Sequence, residues 1–246
     1  MIQGTEISGI YIVHGITGYE ARETHLRDLL QKQYGLEFEF VTESVSPEEN
    51  DAWIRQYFRD DIRELMPKGA MFCTLVHILI YEKVIRNNNR FAIIFENDVC
   101  FIGSKFIERI QQVAREAELL EEGFLISLEN STLKFPPWAK IKKNKFVYEA
   151  SYGRCAGAYL IDKKGAEIML NDLKTNRCTE VIDWWHNDMV KRHVLKMYWA
   201  HPPLTEQGSF NGVHSSSISI RSNGYVRRFR WLCQKFIKTY ITRWFR

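Results

Sequence analysis

Phe91-Ala-Ile-Ile-Phe-Glu-Asn-Asp-Val-Cys-Phe-Ile-Gly103 is the stretch whose reading decides the fold. Phe91 to Phe95 is an unbroken apolar run of β-branched and aromatic residues. Such a run reads as a strand buried on both faces, as in parallel sheets. Two carboxylates close it, Glu96 and Asp98, one residue apart. In open α/β sheets, ligands bind at the carboxyl ends of the strands. Carboxylates held there are costly unless a cation meets them. A hard divalent cation such as Mg²⁺ or Mn²⁺, bridging to a diphosphate, answers that need. The simpler alternative is a polar strand end in which Glu-Asn-Asp forms a turn.

Upstream of this strand, Gly69 to Arg86 carries a long apolar helix pattern through Phe72, Leu75, Val76, Leu79, Ile80 and Ile85, and Asn87-Asn-Asn stops it. His77 lies inside that pattern and reads as a satisfied core residue. Residues 43–69 are polar and charged, bounded by Pro47 and Pro67, with a helical middle from Asn50 to Leu65. They read as solvated surface or as a flap over a site. At the N-terminus, Ile7 to Val13 reads as a strand and His14-Gly-Ile-Thr-Gly as a loop. Tyr19 to Tyr34 is a helix with Gly35 as its C-cap, and Phe38-Glu-Phe-Val is a second strand. This is a βαβ opening of the kind that begins nucleotide-binding α/β sheets. Gly15 and Gly18 are too sparse for a dinucleotide or phosphate-loop fingerprint.

The chain of 246 residues, 45% hydrophobic, is long enough for a sizeable core. Its net charge of +4 is too mild to imply nucleic acid. Five scattered cysteines without Cys-x-x-Cys spacing suggest a reducing compartment without a disulfide framework, and no zinc site is visible; Cys73, Cys100 and Cys155 read as buried thiols. Neither a signal peptide nor a membrane-spanning run is visible.

Residues 69–85 followed by Phe91-Ala-Ile-Ile-Phe-Glu-Asn-Asp-Val resemble glycosyltransferase family 25, which includes bacterial lipooligosaccharide galactosyltransferases. Gly69, Cys73 and His77 match the family's helix pattern. Thr74-Leu75-Val76 replaces a stretch ending in serine, and Asn97 stands where the family has a middle acid. Gly157-Ala-Tyr-Leu-Ile-Asp-Lys-Lys-Gly-Ala-Glu-Ile-Met-Leu, Val181-Ile-Asp-Trp-Trp-His-Asn-Asp, Tyr198-Trp-Ala-His-Pro-Pro-Leu-Thr-Glu-Gln and Ser215-Ser-Ser-Ile continue the similarity in order, so that it spans about residues 7–220. Read locally, residues 157–173 are a strand, a turn and a helix capped by Asp162.

The resemblance implies an α/β fold of GT-A type, a Rossmann-like mixed sheet with flanking helices. It implies an inverting glycosyltransferase moving a hexose, galactose or glucose, from a UDP-sugar to a saccharide acceptor of lipopolysaccharide or lipooligosaccharide, with Mn²⁺ or Mg²⁺ as cofactor. Inversion needs one general base and positive charge on the leaving diphosphate. Asp98 is the first choice as metal ligand, with Glu96 in support. Asp183 and Asp188 are five residues apart and do not share a helix face; either can be the base, and Asp183 is favoured because Trp184 and Trp185 follow it. The two tryptophans are acceptor-stacking candidates, with core packing as the alternative. Glu96, Asn97, Asp98, Gln207 and Ser216 are donor-binding candidates, and His201 and His214 are possible third metal ligands. Asn97 also opens a second reading, a degenerate member that binds sugar nucleotide or glycan without transfer.

Residues 221–246 read separately from the 1–220 domain. They hold eight Lys or Arg and no Asp or Glu. At helical spacing Tyr225, Val226, Phe229, Leu232, Cys233, Phe236, Ile237, Tyr240 and Trp244 fall on one side, with most of the basic residues on the other. This is the pattern of an in-plane helix on an anionic membrane, and it suits a lipid-linked acceptor at the cytoplasmic face of a bacterial inner membrane. Docking on its own domain is the alternative. Nucleic-acid binding fits the bulky aliphatic spacing less well.

Overall fold

The computed structural model describes residues 2–130, 136–153, 155–211, 224–237 and 241. The elements in chain order are β1 (Ile7–Val13), α1 (Glu20–Leu26, continued by a π-helical segment Arg27–Gln33), β2 (Glu39–Val41), α2 (Pro47–Tyr57), α3 (Ile62–Leu65), α4 (Lys68–Arg86), β3 (Phe91–Glu96), β4 (Val99–Phe101), α5 (Phe106–Ala117), β5 (Phe124–Ser127), β6 (Val147–Ala150), β7 (Ala158–Asp162), α6 (Lys163–Asn176), α7 (Ile182–Lys191), β8 (Lys196–Ala200), β9 (Thr205–Gln207), α8 (Gly208–Asn211) and α9 (Gly224–Phe236).

Seven strands form one mixed sheet in the order β2-β1-β3-β7-β5-β8-β6, and β4 pairs with β9 in a separate ribbon. The mixed α/β sheet with flanking helices is the architecture that the sequence implied. The Phe91–Phe95 strand is central and buried on both faces. Ala92 and Ile94 face the core that α2, α4, α6 and α7 build. Phe91, Ile93 and Phe95 face the core shared with α1 and α5. A parallel neighbour on each side was the natural reading of that run. Only β1 is parallel to β3; β7 lies antiparallel on its other side. Burial on two faces sets the apolar run, and strand direction leaves no mark on it.

The switch in strand order falls between β1 and β3. The chain leaves β1 towards β2 on one side and returns to β3 on the other, both parallel to β1. Val13 and Glu96 are register partners at the carboxyl ends of the two strands. A cleft opens outside this point, where ligands of open α/β sheets bind.

Local punctuation follows the sequence closely. Gly35, at φ 64°, ends the first helical stretch, and Leu36 N–H donates to the Leu30 carbonyl. Asn88 takes φ 52° after α4, and Asn89 Oδ1 accepts from Tyr11 Oη at 2.7 Å. The 43–69 segment departs from the flap reading. Ser46 caps α2 by accepting from Glu49 N–H, while Ile54, Tyr57, Phe58, Ile62 and Met66 are buried in the main core. Its charged residues are the outer face of packed helices.

Asp162 caps α6 and does more than cap. Its carboxylate accepts from the amides of Gly123, Phe124 and Gly165 at 2.8–2.9 Å, and the residue is buried. Asp162→Ala is expected to cost about 3 kcal/mol in urea unfolding, one cap plus two buried amides left without acceptors. A loss under about 1 kcal/mol would show that water replaces the carboxylate.

Candidate active site

A cleft of about 330 Å³ lies at the β1/β3 switch, its walls including Val13, His14, Arg22, Lys68, Cys73, Glu96, Asn97, Asp98 and Ser209. Distant parts of the sequence meet there: the loop after β1, α1, the first turns of α4, the acidic end of β3 and α8.

The three residues Glu96, Asn97 and Asp98 are held apart by different partners. Glu96 Oε2 accepts from Gln207 Nε2 at 3.0 Å. Glu96 Oε1 faces α4, 3.8 Å from Cys73 Sγ and 3.9 Å from His77 Nε2. Burial, and then the charge of Asp98, push its carboxyl up to about 7. Asn97 Oδ1 accepts from Arg22 Nη1 at 2.7 Å, and its amide nitrogen lies 3.3 Å from His14 Nδ1. Asp98 is buried; its carbonyl accepts from Gly208 N–H at 2.7 Å and its Oδ2 from Ser209 N–H at 3.0 Å. Asp98 Oδ1 is buried and has no hydrogen-bond partner among the described residues. An orphaned carboxylate oxygen in a cleft needs a cation or a donor to complete it.

The ribbon β4–β9 delivers these partners. Val99 pairs with Gln207 and Cys100 with Glu206, so Gln207 and the start of α8 arrive beside the acids. Gly157 makes room: a Cβ there would meet the Gln207 side chain at 2.5 Å. Its carbonyl also accepts from Glu96 N–H at 2.8 Å.

Asp183 joins the same neighbourhood. Ile182 N–H donates to Thr74 Oγ1 at 3.1 Å, which pins the start of α7 to α4. Burial, and then the nearby Glu96, push the Asp183 carboxyl upward. Asp188, five residues on, is elsewhere: its Oδ2 takes Arg192 Nε at 2.7 Å, and it lines a separate recess with Asp172 and Arg177. Trp184 is 66% exposed. Trp185 is buried, and its Nε1 donates to Asp172 Oδ2 at 3.1 Å, so the core-packing alternative is the one that holds for it. A buried indole has no face for an acceptor sugar. Gln207, also buried, reaches the site through Glu96. His201 packs edge-on to Tyr148 on the β6–β8 side of the sheet. Ser216 and His214 lie outside the described residues.

The loop from His14 could be read as a strand-end loop able to cradle a uridine or phosphate, but Arg22, Lys68 and Ser209 carried no signal in the sequence, because a helix start gains meaning only once folded onto β3. Cys73 and His77 were legible as matches to the family's helix pattern, and His77 as a satisfied core residue. His77 is indeed buried, and burial lowers its imidazole to about 3. Only one of its nitrogens is satisfied: Nδ1 lies 2.7 Å from Tyr159 Oη, while Nε2 has no hydrogen-bond partner. All five cysteines are free thiols; against the buried-thiol reading, Cys73, Cys100 and Cys155 are half-buried, while Cys178 is buried and Cys233 exposed.

Residues 10–184 match the family model for glycosyltransferase family 25 (LPS biosynthesis protein). The chain belongs to glycosyltransferase family 25. The match runs from β1 to the start of α7 and so contains the acidic strand end, the Cys73–His77 helix face and Asp183. A Haemophilus influenzae protein named as a glycosyltransferase is 22% identical over 178 residues, 70% of this chain; the chain spans 60% of that relative's length. Among solved structures, a glycosyltransferase involved in glycosylation of the major capsid of PBCV-1 is 12% identical, with a TM-score of 0.41, over 90% of this chain and 99% of that one. The galactosyltransferase LgtC, solved with donor and acceptor sugar analogues, is 10% identical, with a TM-score of 0.37, over 78% and 72% of the two chains.

Proposed function

We propose that this family 25 member is an inverting glycosyltransferase that moves a hexose, galactose, from a UDP-sugar to a saccharide acceptor of lipopolysaccharide or lipooligosaccharide. The observation that carries the reading is the cleft at the β1/β3 switch, where the acids of β3 face the cations Arg22 and Lys68. A diphosphate needs such cations as negative charge builds on it. Arg22 and Lys68 bind and orient it, and His14 and Gly15 flank the nucleotide.

The acidic end of β3 fits one hard divalent cation. Asp98 Oδ1 is an orphaned carboxylate oxygen, and Mg²⁺ or Mn²⁺ commonly takes one or two carboxylates plus the substrate's phosphates. Asp98 would hold the ion, with the Glu96 charge beside it, and the bound ion would neutralise the leaving diphosphate. Asp183 takes the acceptor hydroxyl proton as that oxygen attacks the anomeric carbon and the bond to the diphosphate breaks. Asp183 Oδ1 accepts from Trp184 N–H at 3.1 Å, which leaves Oδ2 for the proton. The raised carboxyl suits a group that must hold it. The exposed Trp184 offers the face on which an acceptor sugar stacks.

Titration of UDP into the purified chain, with and without Mn²⁺, tests this reading; Mn²⁺-dependent binding is the expected result. Binding indifferent to metal would favour the second reading, a non-transferring binder. Asn97 is the feature behind it, a neutral residue already engaged by Arg22. No binding under either condition would remove the donor site.

The tail supports a place on the membrane. Among the described residues, no helix is long and apolar enough to cross one. On α9, Tyr225, Val226, Phe229, Leu232 and Phe236 are exposed, whereas Trp231 is buried. The helix therefore does not spend its apolar stripe on its own domain. Each basic residue adds about 1 kcal/mol at an anionic surface. The full chain is expected to pellet with anionic vesicles, and a version ending at Arg221 to stay in solution. Equal pelleting of the two would reject the membrane role of residues 221–246.

A further inference from the structure

Cys73 and His77 are four residues apart on α4 and so project from one helix face. Glu96 meets them from the end of β3. Cys73 Sγ, His77 Nε2 and a Glu96 carboxylate oxygen all lie within 4.8 Å of one another, and Cys73 and Glu96 line the cleft. Tetrahedral ligation at about 2.0–2.3 Å puts ligand atoms roughly 3.3–3.6 Å apart. The observed separations of 3.8 Å and 3.9 Å to Glu96 need only a small contraction to reach that range.

The buried Nε2 of His77 is the second observation. At 0% exposure it has no hydrogen-bond partner, and it points at this cluster. A buried polar atom left so calls for an explanation, and an ion or a water that completes it is one.

The far side of His77 shows how the nitrogen is prepared. A buried chain runs from His77 Nδ1 to Tyr159 Oη (2.7 Å), to Tyr81 Oη (2.8 Å) and to His186 Nε2 (2.6 Å). Two neutral imidazoles and two hydroxyls satisfy all three bonds in only two ways, every proton pointing one way or every proton pointing the other. In one of them His77 donates Nδ1–H to Tyr159, and the series ends with Tyr81 donating to His186. His77 Nε2 is then a bare lone pair aimed at Cys73 and Glu96. This is the outer-shell pattern that fixes the tautomer of a metal-bound histidine. Gln207 orients Glu96 in the same manner, from its other oxygen.

We propose that Cys73, His77 and Glu96 bind a divalent transition cation of the zinc class at the floor of the cleft. The donor set differs in kind from the all-oxygen coordination that Asp98 offers, because thiolate and imidazole select softer ions. Three protein ligands leave a fourth position open towards the cleft, as in catalytic rather than structural zinc sites. Binding replaces the Cys73 thiol proton with the cation, and that proton leaves to solvent. The inference does not rest on glycosyl transfer, and its test contains no nucleotide.

Chelator-treated full-length chain titrated with Co²⁺ alone is expected to bind an ion at this site with a near-ultraviolet thiolate-to-cobalt charge-transfer band. Cys73→Ser is expected to abolish that band, and Tyr159→Phe to weaken binding about 10–100-fold while retaining it. No charge-transfer band in the unmodified chain, or the same band in Cys73→Ser, overturns the proposal. Should Cys73→Ser fail to fold, alkylation of the unmodified chain decides by mass spectrometry: protection of Cys73 by Zn²⁺ upholds the site, and undiminished alkylation rejects it.

Discussion

Asp183→Ala is expected to lower turnover by about 100-fold or more, with UDP binding nearly unchanged. The carboxyl sits where α7 is pinned to Thr74, beside Glu96, and burial, then the charge of Glu96, raise it. On the proposed mechanism, removal of the carboxyl takes away the proton acceptor and leaves Arg22 and Lys68 in place for the diphosphate. The helix start should survive, because its anchoring bond runs through the Ile182 amide. Asp188→Ala provides the comparison. Asp188 is 45% exposed and already paired with Arg192, so its loss should change turnover only a few-fold. Steady-state rates of the two variants decide the matter, and a larger loss in the Asp188 variant would move the base to Asp188.

Asp98→Asn is the other severe change: transfer should fall below detection while the fold persists. The amide oxygen can still accept from Ser209 N–H, and the main-chain bond to Gly208 is untouched. What disappears is the charge behind the orphaned Oδ1, the atom offered to a hard cation. Mn²⁺-dependent UDP binding should vanish with it. Near-normal turnover in a folded Asp98→Asn enzyme would end the role of Asp98 as metal ligand.

The elements on which these effects depend were unequally legible in the sequence. The apolar run of β3, the Asn stop before it, Gly35 and the Asp162 cap all act locally and could be read residue by residue. The direction of β7 could not be read, because a strand buried on both faces looks alike in either orientation. Trp184 and Trp185 are indistinguishable by type, yet α7 exposes one and gives the other to Asp172. The acids were visible because carboxylates are conspicuous after an apolar strand. Their partners were not: Arg22, His14 and Ser209 come from ordinary loops and helix starts. His77 was placed rightly in the core, but a one-letter code does not say that half of its ring lacks a partner. The charge pattern of residues 221–246 was plain, and the exposure of Phe229, Leu232 and Phe236 is the part that only the fold supplies.

The β4–β9 ribbon also sets a timetable. Glu96 and Asp98 receive Gln207 and Ser209 from 111 residues further along the chain. Such a long closure comes late in folding, since the loop entropy must be met before the contact forms. As the protein emerges from the ribosome, the acids are made first and stay without these partners for the next 111 residues. A nascent chain that stops short of β9 therefore has an acidic strand end but no finished cleft, which is completed only when β9 and the start of α8 have been translated.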